Sequence, residues 1–191
     1  MKKFFESIIF VGIKIITFDY YIVKKLIKKY KGAPTKVLDL GSGNGHLANL
    51  FPPKSYLGIE LDAGLVEVAK KNYPNHRFEV GNITRLNLKT KFDLVLVVGV
   101  LHHLNQADFK KALTRISRVL SPYGRVLIIE AIPPISRFNV LGRALRNFDR
   151  GEFVRTLRQY KTEIDNLFKV YTAENVKGGV VDYAFFILGQ K

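Results

Sequence analysis

The chain has 191 residues, which is enough for one domain that buries its own hydrophobic core. It contains no cysteine, and this excludes disulfides, thiolate-bound metal centres and a cysteine nucleophile. Lysine and arginine outnumber aspartate and glutamate by 31 to 16. Such an excess favours an anionic partner (nucleic acid, phospholipid headgroups or a phosphorylated substrate), unless it only reflects a lysine-rich proteome.

Residues 1–31 form a basic, amphipathic leader. Glu6, Lys14 and Asp19 interrupt its apolar run, so it is predicted to be neither a signal peptide nor a membrane span. Its apolar residues recur at helical spacing, at Ile8, Val11, Ile15, Phe18, Ile22, Leu26 and Ile27. We expect one or two helices packed on the domain. A lid over a substrate and a contact with a membrane surface are the alternatives.

From residue 36 onwards, short apolar strands alternate with helical segments. Strands are predicted at residues 36–40, 55–60, 77–80, 92–98 and 125–132. A helix is predicted to start within residues 45–50, two more cover 63–72 and 106–120, and a turn is expected at 121–124. This alternation predicts a doubly wound, Rossmann-like α/β sheet that is mostly parallel, with helices on both faces.

The pattern changes after Pro133 and Pro134. A helical, arginine-bearing stretch over residues 136–164 precedes two strand-like runs, at 168–175 and 180–189. The glycine pair between these runs favours a hairpin. The predicted sheet therefore has seven strands and ends in an antiparallel C-terminal hairpin.

Three alternating glycines, Gly41, Gly43 and Gly45, follow the first predicted strand. The loop after that strand is where an open parallel sheet binds its ligand. His46 stands where a dinucleotide-binding loop has its third small residue, and no Lys-Ser or Lys-Thr follows, so neither that loop nor a P-loop fits. The segment "DLGSGNG" instead resembles the first motif of class I S-adenosylmethionine-dependent methyltransferases.

The resemblance continues in family order over residues 36–132, through "YLGIELD", "FEVGNITRL", "FDLVLVVGVLHHL" and "RISRVLSPYGRVLIIEA". It implies an enzyme that uses S-adenosylmethionine and releases S-adenosylhomocysteine. The implied cofactor site consists of Asp39, Gly41, Gly43, Gly45, Glu60, Leu61, Asn82, Ile83, Val98 and Gly99. No metal site is predicted.

The resemblance also implies a role for each of these residues. The three glycines let the backbone approach the methionine portion and the ribose, while Asp39 lies near the cofactor ammonium or orders the loop. Glu60 binds both ribose hydroxyls, as carboxylates do in dinucleotide sites.

The remaining members of the implied site surround the adenine and the methionine chain. Leu61 and Ile83 cover the two faces of the adenine, and Val98 and Gly99 lie beside the methionine chain. Asn82 departs from the aspartate that is common in the family, but it keeps an acceptor oxygen for the adenine amino group.

His102 and His103 follow the fourth predicted strand in "LHHL". His103 matches the histidine that many small-molecule methyltransferases have in this loop. Because an imidazole titrates near neutral pH, it suits the deprotonation of a phenol or hydroxyl. We predict His103 as the catalytic base. Orientation of the cofactor and capping of the next helix are the alternatives.

The acceptor is predicted from the same loop. The Asn/Asp-Pro-Pro-aromatic signature of enzymes that methylate the amino groups of bases is replaced by "VGVL", and "LHHL" resembles the branch that acts on small molecules, quinone precursors, sugars and lipids. We therefore expect a small or lipid-like acceptor, methylated on O, N or C. The alternatives are an RNA methyltransferase that uses its basic surface and a non-catalytic cofactor-binding partner protein.

The whole of residues 1–191 is predicted to be one methyltransferase domain, with the leader at 1–31, the cofactor-binding core at 36–132, a lid-like helical insert at 133–166 and the hairpin at 167–191. The insert has an apolar face and basic neighbours, namely Phe138, Leu141, Leu145 and Phe148 with Arg137, Arg143, Arg146 and Arg150. Its segment "DRGEFVRT" looks like one found in bacterial members of the superfamily. We expect a cytoplasmic protein, with peripheral contact to the inner membrane surface through the leader.

Overall fold

The structure is a computed structural model and describes residues 19–136, 139, 152–178 and 181–191. Its strands are β1 (Val37–Leu40), β2 (Tyr56–Glu60), β3 (Arg77–Val80), β4 (Phe92–Val98), β5 (Leu120–Ile132), β6 (Phe168–Val176) and β7 (Asp182–Gln190). Its α-helices are α1 (Asp19–Tyr30), α2 (Ala63–Asn72), α3 (Gln106–Val119) and α4 (Leu157–Leu167). Short 3₁₀ turns occur at Ala48–Leu50, Pro53–Ser55, Ile83–Arg85 and Leu101–His103.

The strands form one sheet in the order β3-β2-β1-β4-β5-β7-β6. The first five strands are parallel, and β7 is antiparallel to both β5 and β6. This confirms the predicted seven-stranded fold with its antiparallel hairpin. The strand order reverses at β1, which pairs with β2 on one side and β4 on the other, so β1 and β4 flank the crevice where such sheets bind ligands.

Both faces of the sheet are covered by helices. Along β4, Val95 and Val97 belong to the hydrophobic cluster under α3 and α4, while Leu94 and Leu96 belong to the cluster under α1 and α2. This alternation follows from the two-residue period of a strand. A strand buried on both faces must be almost wholly apolar, and Asp93, near the start of β4, is the one polar residue of that strand.

Two local predictions differ from the structure. The helix expected from residues 45–50 is only the 3₁₀ turn Ala48–Leu50, because Pro52 and Pro53 cannot continue a helix that has just begun. The turn at 121–124 is a bulge within β5: Leu120 pairs with Phe92 of β4, and Arg125 with Leu94.

The described part of the leader is α1, and its apolar side belongs to the core. Ile27 is fully buried and Val23 nearly so, and the Tyr30 ring lies 5.2 Å from that of Phe185 in β7. Residues 1–18 lie outside the described residues. Within the described ranges, no helix is long and apolar enough to cross a membrane.

Residues 137–138 and 140–151 of the predicted insert lie outside the described residues, and with them the apolar face and the four arginines predicted beside it. Its last part, residues 157–166, belongs to α4. This helix begins with a capping box between Thr156 and Gln159 and buries Tyr160 and Ile164 against the sheet.

Candidate active site

The glycine loop, residues 41–45, turns away from the end of β1 through positive φ angles of 75° at Gly41, 53° at Gly43 and 85° at Gly45. L-residues rarely adopt such angles. A Cβ on Gly41 would also overlap the Val100 side chain, whereas a Cβ on Gly43 would meet no atom within 4 Å. Gly41 is therefore needed for packing, and Gly43 leaves open space above the loop for a ligand.

Glu60, the last residue of β2, holds this loop with its carboxylate. Its Oε2 accepts a hydrogen bond from the Gly43 amide at 2.9 Å. Its Oε1 accepts from the amides of Leu61 at 2.7 Å and Asp62 at 3.1 Å. A carboxylate offers about four acceptor positions, so the capacity to accept a ligand hydroxyl remains beside these three bonds.

Asp39 of β1 lies behind the glycine loop and is 1% exposed. Burial raises its pKa to about 7, the charge of Glu60 adds to that effect, and the Tyr56 hydroxyl opposes it by donating to Oδ2 at 2.6 Å. A buried carboxylate in this state favours a cation beside it, because an opposite charge stabilises the ionised form.

A cavity of about 130 Å³ opens at the carboxyl ends of β1 and β4. Four predicted residues line it: Asp39, Gly41, Val98 and Gly99. Sequence reasoning missed other lining residues, among them Val23, Ser42, His102 and Tyr183. The cavity thus brings together residues from α1, the glycine loop, β4, the turn after it and β7.

The other six predicted cofactor residues do not line this cavity: Gly43, Gly45, Glu60, Leu61, Asn82 and Ile83. Leu61 is 66% exposed next to Glu60, and Ile83 is buried in the core cluster under α3 and α4. The Oδ1 atom of Asn82 accepts from the Thr84 amide and hydroxyl, both at 2.8 Å. The oxygen predicted to accept from an adenine amino group therefore caps a 3₁₀ turn.

His102 is held by a buried carboxylate from the neighbouring strand. Its Nδ1 lies 2.7 Å from Oε2 of Glu130 in β5, and both side chains are buried. Oε1 of Glu130 accepts from the amides of Val100 and Leu101, each at 2.9 Å. Because an ionised carboxylate only accepts, we assign the Nδ1 proton to His102, which makes Nε2 the basic nitrogen.

His103 is exposed, and its ring centroid lies 4.1 Å from that of His102. It does not belong to the cavity lining, so its catalytic role stays a prediction. The sequence does contain a signal for the His102–Glu130 contact, namely Glu130. A carboxylate inside the apolar strand "VLIIEAI" must be buried and therefore needs hydrogen-bond partners. Among the described residues, no group of histidine, aspartate and glutamate could hold a metal ion.

Residues 37–124 match the protein family described as a methyltransferase domain. The matched range contains the glycine loop, Glu60 and both histidines. These residues form a methyltransferase domain, and the match together with the named relatives supports the class I S-adenosylmethionine-dependent type. This confirms the predicted family.

Named relatives of this chain agree with the match. It is 33% identical over 110 residues to the uncharacterized methyltransferase YcgJ of Bacillus subtilis, which covers 53% of this chain and 43% of YcgJ. It is 32% identical over 106 residues to a demethylmenaquinone methyltransferase of Thermotoga maritima, with 53% and 45% covered. The chain spans about half the length of the curated relatives it matches.

Among solved structures, the N-methyltransferase NodS of Bradyrhizobium japonicum in complex with S-adenosylhomocysteine resembles this chain with a TM-score of 0.69. The two chains are 15% identical, and the match covers 86% of this chain and 82% of NodS. At this identity the likeness shows the shared fold alone.

Proposed function

We propose that this methyltransferase transfers a methyl group from S-adenosylmethionine to a small-molecule acceptor that binds beside His102. The observation that carries the proposal is the position of His102, which Glu130 binds from behind and which lies in the wall of the cavity that Asp39, Gly41 and Ser42 also line. A donor held by Asp39 and an acceptor next to His102 would share one small space.

The residues at the cavity suit this cofactor. Asp39 favours a cation, which matches an ammonium group, and Gly43 leaves room above the loop. Within the described ranges, the buried Ser42 hydroxyl and Asn44 Oδ1 have no hydrogen-bond partner, so the glycine loop has spare polar atoms for a ligand. Glu60 at the loop would accept from ribose hydroxyls.

S-adenosylmethionine supplies a methyl group on a sulfonium, ready for in-line displacement. The protein then has to hold a nucleophile about 3–3.5 Å from that carbon and to take its proton where it has one. His102 would accept this proton at Nε2, and Glu130 would stabilise the resulting imidazolium through Nδ1. This role favours an acceptor that reacts through a hydroxyl or another acidic proton.

The relatives support the acceptor class only in outline. The Thermotoga maritima relative is named as a demethylmenaquinone methyltransferase and NodS as an N-methyltransferase, so the atom methylated differs among similar proteins. Neither these two proteins nor YcgJ is described as an RNA methyltransferase or as non-catalytic. Contact of α1 with an anionic membrane stays a prediction.

The test is to incubate the protein with methyl-labelled S-adenosylmethionine and small-molecule, lipid and RNA fractions kept separate. We expect label in the small-molecule or lipid fraction with wild type and none with His102→Gln, although both bind S-adenosylhomocysteine in calorimetry. Label in RNA alone would overturn the acceptor class. Absence of cofactor binding by the wild type would overturn the proposed function.

A further inference from the structure

Arg155, from the segment "DRGEFVRT", is 8% exposed and lies next to the turn that contains both histidines. Its Nη1 donates to the carbonyls of Leu101 at 3.1 Å and Phe153 at 3.0 Å, and Nη2 donates to the Leu104 carbonyl at 2.8 Å. The guanidinium also lies 4.5 Å from the centroid of the Phe109 ring. One planar side chain therefore spans the turn from Leu101 to Leu104 and stacks on the first part of α3.

The histidine turn, residues 100–104, depends on partners from outside. It contains a 3₁₀ turn of three residues, and Val100 at its start provides no side-chain cap. Glu130 binds the amides at the beginning of the turn, and Arg155 binds its carbonyls. The Phe153 amide donates to the His102 carbonyl at 3.0 Å. A carboxylate thus holds the donors of the turn, and residues 153–155 hold its acceptors.

Residues 153–155 are themselves placed by a rigid element. Thr156 is the N-cap of α4, its side chain accepts from the Gln159 amide, and the Gln159 side chain accepts from the Thr156 amide in return. Tyr160 and Ile164 then anchor α4 in the core with no exposed surface. Arg155 precedes this cap directly, so its position follows that of the helix.

We propose that Arg155, together with the Phe153 amide, is the positioning unit that keeps His102 in register with Glu130 and the cavity. The proposal rests on the proposed role of His102 as base. Arg155 contacts backbone carbonyls, the Gln106 side chain and the rings of Phe109 and Tyr160, so it acts through the turn and not on a substrate. Lysine cannot replace it, because an ammonium lacks the planar fork that reaches two carbonyls while stacking on Phe109.

The test reads the His102 ring directly, without an acceptor. The chain has four histidines, so ring-labelled protein gives few signals, and His102→Gln identifies the one that matters. In the wild type we expect one well-defined state of the ring with a proton on Nδ1, by long-range ¹H–¹⁵N correlation. In Arg155→Lys we expect mixed tautomers or exchange broadening, with S-adenosylhomocysteine affinity retained.

A displacement of about 1 Å at a reacting group costs on the order of 10²-fold in rate, so turnover should fall by about that factor once an acceptor is known.

Two controls separate positioning from general destabilisation. Arg158→Lys changes an exposed arginine in the same helix region and should leave the His102 signal unchanged. Ile164→Val should lower the melting temperature without altering the tautomer. A single Nδ1-protonated tautomer in folded Arg155→Lys overturns the proposal.

If Arg155→Lys does not fold, Phe153→Pro carries the test, since it removes the amide that donates to the His102 carbonyl, at a residue that is 39% exposed. An unaltered His102 signal there also overturns the proposal. Failure of the wild type to bind S-adenosylhomocysteine would instead refute the proposed function, and the tautomer measurement would still decide the role of Arg155.

Discussion

Replacement of Glu60 by alanine should weaken cofactor binding strongly. Each hydrogen bond to a charged group contributes about 1.5–3 kcal/mol, so two bonds from ribose hydroxyls represent ~3–6 kcal/mol. At about 1.4 kcal/mol per tenfold, the dissociation constant should rise ~10²–10⁴-fold. The variant also leaves the amides of Gly43, Leu61 and Asp62 without their acceptor, so part of this loss could come from the loop alone.

A double-mutant cycle separates these two contributions. Calorimetry would compare S-adenosylhomocysteine with an analogue that lacks the ribose hydroxyls, on wild type and on Glu60→Ala. If the carboxylate binds the ribose, the analogue loses affinity for the wild type but little for the variant. Equal losses for both proteins would mean that Glu60 only shapes the loop.

Glu67→Ala is the matched control, because Glu67 is an exposed glutamate on α2 paired with Lys70. It should leave both affinities unchanged. Unchanged affinity in Glu60→Ala as well would refute the assignment of Glu60 to the cofactor site.

Three further predictions concern the histidines, Asp39 and α1. In a methyl-transfer assay, His102→Gln should lower turnover about 10²–10⁴-fold with cofactor affinity held, because it removes the base from the cavity wall, whereas His103→Gln should be mild. The raised pKa of Asp39, about 7, means that the folded protein holds a proton that the unfolded chain loses near pH 3.9. Thermal melts should therefore show stability falling as pH rises from about 4 to about 7, and falling less in Asp39→Asn. Ile27→Ala should cost about 2–5 kcal/mol in urea denaturation, because Ile27 is fully buried.

Each of these has an opposing result. A large loss with His103→Gln and none with His102→Gln would make His103 the base, as the sequence alone predicted. Parallel pH profiles for wild type and Asp39→Asn would show that Asp39 is ionised in the folded protein at acidic pH. Lys28→Ala, an exposed position on the same helix, is the control for Ile27→Ala, and equal effects would remove α1 from the core.

The fold could be predicted because its signals are local. A strand buried on both faces must be almost wholly apolar, as β4 is apart from Asp93. A loop with three positive φ angles selects glycine at 41, 43 and 45. The hairpin at the end followed from its glycine pair. The position of β7 between β5 and β6 could not be predicted from that glycine pair, because either strand of the hairpin could pair with β5.

The pairing of His102 with Glu130 could not be predicted because it depends on a contact between residues 28 positions apart. A 3₁₀ turn has about three residues per turn, so two adjacent histidines point in different directions. The pattern "LHHL" does not determine which of them faces the sheet. In the structure, Glu130 binds His102, and this turns His102 towards the sheet. The burial of Glu130 can be predicted from the sequence, but the residue that it binds cannot.

The cavity wall draws on regions that are far apart in the chain: Val23 comes from α1 and Tyr183 from β7. During synthesis, β1, the glycine loop and Glu60 leave the ribosome well before residue 183 does. A nascent chain that stops short of β7 has an unpaired edge on β5 and an unfinished cavity wall. Ligand binding stabilises only a chain that has its binding site, so the cofactor can assist folding only after β7 has emerged and joined the sheet.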